Sequence, residues 1–124
     1  MELKFFLCEH CGSIAAMVRD SGVPVVCCGQ EMTGLVPNTS DGAHGKHVPI
    51  VSREGAKVAV HVGGAAYPMR ESHCIEWIVL QTGSGSRRKA LRPGGAPEAA
   101  FCVSEDDEVV SAYAFCNLRG LRRA

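Results

Sequence analysis

From about residue 43 to the C-terminus the chain shows no helical period of useful length. Apolar and polar residues fall instead into short strand-like stretches at 48–53, 57–62, 74–81, 87–91, 99–103 and 109–116. In the third of these, Ile75, Trp77 and Val79 alternate with Glu76 and Ile78. Gly63-Gly64, Gly83-Ser84-Gly85 and Pro93-Gly94-Gly95 separate the stretches, and Ser84–Arg88 reads as a polar hairpin tip. Six or seven short strands with regular turn formers predict a β-sandwich. Before residue 43 the pattern is weaker: 4–7, 14–19 and 23–26 read as three short strands. The run Pro37-Asn38-Thr39-Ser40-Asp41-Gly42 breaks the chain there, so two domains are expected, 1–37 and 38–124. The fold class is therefore all-β, a small domain followed by a larger sandwich. There is no internal repeat.

The 124 residues suffice for one ordinary domain plus a very small one. A piece of under 40 residues needs a staple to fold. Thirteen Lys and Arg balance thirteen Asp and Glu, so the chain lacks the basic excess of a dedicated nucleic-acid binder. No apolar run approaches the ~20 residues that span a bilayer. The opening Met1–Leu7 is too short for a signal peptide and runs into a cysteine motif, so the expected compartment is the cytoplasm.

Seven cysteines change this picture. In a reducing compartment, clustered cysteines point to metal or redox chemistry rather than disulfides, and an odd number cannot pair completely. Four lie in the first 28 residues. Cys8-Glu9-His10-Cys11-Gly12 is a C-x2-C knuckle, whose spacing lets both sulfurs face one metal while Gly12 permits the turn that follows. Cys27-Cys28-Gly29 is a second pair. Adjacent residues of an extended strand point to opposite faces, so the backbone must turn sharply for both to reach one ion. Two such pairs predict a four-thiolate site at Cys8, Cys11, Cys27 and Cys28, the staple the small domain needs. Zinc and iron both accept four sulfurs, and spacing does not separate them. His10 reads as an exposed loop residue.

Further along the chain, Ser40-Asp41-Gly42-Ala43, Lys46-His47-Val48-Pro49, Pro68-Met69, His73, Ile75-Glu76-Trp77-Ile78, Pro93–Glu98 and Phe115-Cys116-Asn117-Leu118 stand in a recognisable order. With the two cysteine pairs they resemble the desulfoferrodoxins, the two-iron superoxide reductases, over essentially the whole chain. The resemblance implies a desulforedoxin-like domain holding an Fe(Cys)4 centre, called centre I. It also implies a seven-stranded immunoglobulin-like sandwich holding a catalytic centre II, a homodimer, and a small electron-donor protein such as rubredoxin. Centre II of that family is iron bound by four histidines and an axial cysteine with one position open, where superoxide is reduced to hydrogen peroxide.

On that resemblance His47 and His73 match two of the histidines, Cys116 the axial thiolate and Lys46 a loop lysine used to attract the anion. Tyr67 stands where the second histidine is expected, Arg119 where the fourth is, and Gly45 where a loop glutamate is. Arginine has no usable lone pair. Its charge about 5 Å from a dication would cost roughly 6–7 kcal/mol at an effective dielectric of 20, about half of it cancelled by a Cys116 thiolate. The altered ligand set weakens centre II without forbidding a metal there: His47, His73 and Cys116 remain as a residual site or as relics around an empty pocket, and Tyr67 reads as a packed residue or a phenolate ligand. The expected activity is then an electron-transfer or redox role through centre I, the alternatives being an active superoxide reductase with an altered centre II or a zinc-bound structural protein. Cys74 reads as a small buried residue or a replacement ligand, and His44 as a loop residue with the same alternative role. Cys102 reads as core or strand surface, and His61 as structural. Arg87-Arg88-Lys89 and the arginines at 119, 122 and 123 read as solvated surface or as a docking face for an acidic partner.

Overall fold

The structure is a computed structural model that describes residues 2–38, 48–63 and 68–124. His44, Lys46, His47 and Tyr67 lie outside the described residues. The chain divides into two compact units, Met1–Val36 and Pro37–Ala124.

In the first unit β1 (Phe5–Leu7), β2 (Ile14–Ala16) and β5 (Thr33–Gly34) form an antiparallel sheet in the order β2-β1-β5. A separate hairpin pairs β3 (Val26–Cys27) with β4 (Gln30–Glu31). β2 stops at Ala16, three residues short of the expected strand. Asp20 draws the chain into a turn, accepting the Gly22 amide at 2.8 Å and the Lys4 ammonium at 2.9 Å. Phe5 and Cys8 are the buried apolar side chains described in this unit, whereas Val18, Val23, Val26 and Val36 are exposed.

The second unit is built from β6 (Pro49–Glu54), β7 (Lys57–Val62), β8 (Ile75–Thr82), β9 (Ser86–Ala90), β10 (Glu98–Cys102), β11 (Val109–Cys116) and β12 (Gly120–Arg123). They form two antiparallel sheets, β10-β7-β6 and β12-β11-β8-β9. Period-two burial follows the sequence in β7, where Val58, Val60 and Val62 point inward. Beside them in the same sheet lies Phe101 of β10, and opposite lie Ile75, Ile78 and Leu80 of β8 and Ala112, Ala114 and Cys116 of β11. The alternation expected along β8 does not hold. Phe115 pairs with Trp77 but Cys116 pairs with Ile75, so Glu76 is an extra residue and the inward face shifts to Ile78 and Leu80. Trp77 instead stacks on Phe115 on the other face, with ring centroids 5.5 Å apart.

The polar tip expected at Ser84–Arg88 is shorter. Residues 86–88 belong to β9, and the turn contracts to Gly83–Gly85. Asp107 holds that turn, accepting the Ser84 amide at 3.1 Å and its hydroxyl at 2.6 Å. Arg87 and Lys89 are committed within the fold: Arg87 donates to the Cys102 carbonyl and Lys89 to the Ala100 carbonyl. They cap the open edge of β10, which would otherwise be free to pair. β12 is an element the sequence pattern did not reveal. Its Leu121 and Arg122 are buried, and Asn38 pins it by accepting the Arg123 amide and donating to the Arg123 carbonyl, each at 3.0 Å.

Candidate metal centre

The knuckle between β1 and β2 is closed by backbone bonds. The Gly12 amide donates to the Cys8 carbonyl and the Cys8 amide to the Ser13 carbonyl, both at 2.8 Å. Gly12 takes φ +84°, a conformation that a Cβ would strain. The turn returns the Cys11 amide to within 3.5 Å of Cys8 Sγ. The adjacent pair is resolved by the β3–β4 hairpin. Cys28 and Gly29 are its two central residues, with φ of 55° and 73°. Two successive positive φ values are the signature of the tight hairpin turn whose twist matches its flanking strands. Cys28 itself, and not Gly29 alone, adopts the left-handed conformation. That rotation brings its sulfur round to the side of Cys27 Sγ, 4.0 Å away.

The ligand atoms of Cys8, Cys11, Cys27 and Cys28 all lie within 4.8 Å of one another, and Cys11 Sγ is 3.7 Å from Cys27 Sγ. A tetrahedral ion with metal–sulfur bonds of ~2.3 Å requires sulfurs ~3.8 Å apart, so the cluster fits a four-thiolate metal. No disulfide joins any of them. Without a metal the thiols compete for protons. The Ser13 hydroxyl, then the Ser13 amide, then Cys8 and Cys27 hold the Cys11 thiol down to about 6. Hydrogen bonds with Cys8 and then Cys11, with burial and Cys28 adding to them, push Cys27 up to about 12. Cys28 is raised as well, through Cys11 and then Cys8. A bound cation replaces these protons and takes four thiolates. His10 is exposed in the knuckle, as expected.

In the second unit His73 and Cys116 come from neighbouring chain segments. A reciprocal pair of backbone bonds with Arg70, each 3.0 Å, holds His73 at the end of a tight turn. Asn117 clamps that turn to the end of β11: its side chain accepts the Cys74 amide at 2.9 Å and donates to the Ser72 carbonyl at 3.0 Å. Cys116 is wholly buried and His73 half-buried. Cys74 is buried, and its thiol is raised by that burial, then by the charges of Glu76 and Cys116. Among the described residues His73, Cys74 and Cys116 do not gather as the four cysteines do. Arg119 sits half-buried in the turn between β11 and β12. Cys102 is exposed, so it belongs to the strand surface, and His61 is exposed on β7 opposite Glu98.

Residues 39–124 match the family model described as Desulfoferrodoxin. The chain belongs to the desulfoferrodoxin family. It is 43% identical over 119 residues to the desulfoferrodoxin of Nitratidesulfovibrio vulgaris, covering 96% of this chain and 93% of that one. A desulfoferrodoxin homolog of Archaeoglobus fulgidus is 44% identical over 119 residues, covering 96% and 94%. The crystal structure of the superoxide reductase from Treponema pallidum matches with a TM-score of 0.84 at 38% identity, covering 100% of this chain and 99% of that one. The all-β architecture of a desulforedoxin-like domain followed by a β-sandwich is thus that of this family.

The roles of two residues, Asn117 and Ser13, escaped the sequence reading. Asn117 directly follows Cys116, but its partners are 43 and 45 residues away, and no local pattern marks them. Ser13 follows the knuckle, and its place beside Cys11 depends on the Gly12 turn. A hydroxyl two residues after a ligand cysteine is the one sequence cue that could have found it.

Proposed function

We propose that this desulfoferrodoxin-family chain holds one iron at Cys8, Cys11, Cys27 and Cys28 and serves an electron-transfer or redox role, with superoxide reduction weak or absent. The clustering of the four sulfurs within 4.8 Å carries the first part of this reading. When bound there, iron supplies one-electron chemistry in a site closed to further ligands. The protein's part is to supply four thiolates, exclude a fifth donor and hold the geometry nearly unchanged between oxidation states.

The second part rests on donor chemistry. Of the family's five centre II ligands, His47, His73 and Cys116 remain, while Tyr67 and Arg119 stand at the other two positions. A guanidinium offers no lone pair, so these residues do not complete a five-ligand iron site. Lys46 keeps the loop cation beside His47, so the anion-attracting feature outlasts the full ligand set. A homodimer and a small rubredoxin-like electron donor complete the proposal.

A second reading, an active superoxide reductase with an altered centre II, is favoured by the likeness to the Treponema pallidum enzyme. Elemental analysis of anaerobically purified protein separates the readings when paired with superoxide decay followed after pulse radiolysis. One iron per chain with no accelerated decay supports the first reading. Two irons with decay near the encounter rate overturn it in favour of the second, and a colourless chain with one zinc overturns the iron assignment.

A further inference from the structure

We propose that the Ser13 hydroxyl donates a hydrogen bond to the Cys11 thiolate and thereby raises the reduction potential of iron held by the four cysteines. This rests on the reading above that those cysteines hold iron. Ser13 Oγ lies 3.2 Å from Cys11 Sγ. A metal-bound thiolate carries no proton, so in the loaded centre the hydroxyl is the donor. Its position is set by the knuckle: the Ser13 carbonyl accepts the Cys8 amide at 2.8 Å, and the left-handed Gly12 turns the chain so that the side chain of residue 13 falls back on residue 11.

Cys8 is buried and receives a backbone amide, whereas Cys11 is exposed and has the Ser13 hydroxyl beside it in addition to the Ser13 amide. The hydroxyl bond to Cys11 is therefore one that substitution removes without altering the backbone. Reduction adds one electron to the centre and no proton, and the serine keeps its hydrogen throughout. The added negative charge spreads onto the sulfurs, so a donor at sulfur stabilises the reduced state more than the oxidised one.

The test is a mediated potentiometric titration of the full iron-loaded chain at fixed pH, followed by its visible thiolate-to-iron absorption. Wild type is compared with Ser13→Ala and Ser13→Thr, and Ser13→Val is added as the shape match to threonine. The expected result is a ferric-to-ferrous equilibrium shifted three- to tenfold toward ferric in the Ala and Val variants, tenfold being 59 mV for one electron. Ser13→Thr should stay near wild type, and iron content should be equal in all four. Equal potentials at equal iron content overturn the inference and leave the metal assignment standing. So does a threonine variant that falls as far as alanine, since packing rather than the hydroxyl would then be responsible. If Ser13→Ala loads poorly, the Val and Thr pair decides by the same criterion. A wild-type chain that takes no iron at the cysteines overturns the parent reading and this inference together.

Discussion

Stripping the metal from the cysteine centre is expected to unfold Met1–Val36 and leave the fold of Pro37–Ala124 standing. The first unit has almost no core: Phe5 at 5% exposure and Cys8 at 2% are its buried apolar side chains among the described residues. Burying one Phe contributes about 1.5–3 kcal/mol, whereas ordering each residue's backbone costs about 1–2 kcal/mol. A structural tetrahedral metal contributes on the order of 10–16 kcal/mol at neutral pH, several times what Phe5 supplies. The second unit has a full apolar layer between two sheets and does not draw on that metal. Cys28→Ser makes the same test without a chelator, and because Cys28 is exposed it removes a ligand without opening a cavity. Hydrogen exchange read by mass spectrometry should show β1 and β2 unprotected in the metal-free chain and in Cys28→Ser, with β7, β8 and β11 still protected. Trp77, the single tryptophan, lies in β8 and so reports the melting of the second unit. Its cooperative melting transition should survive. Protected amides in β1 of the metal-free chain, or loss of the Trp77 transition along with the metal, would refute this reasoning.

Asn117→Ala removes the bonds to the Cys74 amide and the Ser72 carbonyl, each worth about 0.5–1.5 kcal/mol, together with a weak 3.9 Å contact from Cys116 Sγ, so the second unit should lose roughly 1–3 kcal/mol in denaturant melts. The buried Cys74 and Cys116 thiols should also react faster with a disulfide reagent, and unchanged labelling would count against the clamp. Ile78→Ala, at a wholly buried position that the Glu76 bulge turns inward, should cost about 2–5 kcal/mol by the same melts. Glu76→Ala, on the exposed bulge residue, should cost far less. The Ser84 hydroxyl, then Thr82, hold the Asp107 carboxyl below its ordinary value. A depressed folded value means stabilisation present above the unfolded pKa of about 3.9 and lost as pH falls through the folded value. Asp107→Ala should thus lower Tm at pH 7, with the gap to wild type closing as pH drops below about 4; a gap constant with pH would contradict it. Tyr67→His combined with Arg119→His should bring iron uptake to two per chain by elemental analysis and add a thiolate-to-iron band from Cys116. Either change alone should do less, and an unchanged metal content in the double variant would show that the missing histidines are not what limits the site.

Much of the candidate site was legible in the residues. The two cysteine pairs announce a four-thiolate site because ligand spacing is a local property, and the positive φ at Gly12 is written in the residue type. β7 and β11 begin and end where the period-two pattern places them, at Lys57–Val62 and Val109–Cys116. The left-handed Cys28 was only half visible. The need for a sharp turn follows from adjacency, but the positive φ of Cys28 persists because the closed β3–β4 hairpin holds it there.

What the sequence determined by itself was the β class, a chain break near residue 37, where the two compact units meet, and the four-cysteine donor set of the first unit. These depend on residue type and short spacing, which the chain carries wherever it goes. The tertiary structure decided the register. The bulge at Glu76 exchanges Trp77 and Val79 for Ile78 and Leu80 on the inward face, because a shift of one residue turns every later side chain over. It also made Arg87 and Lys89, which read in the sequence as solvated surface or a docking face, into caps on β10, and made a strand of Gly120–Arg123. Those outcomes rest on backbone groups that become neighbours only after the sheets form, and a polar side chain's partner across tens of residues leaves no trace in the local pattern.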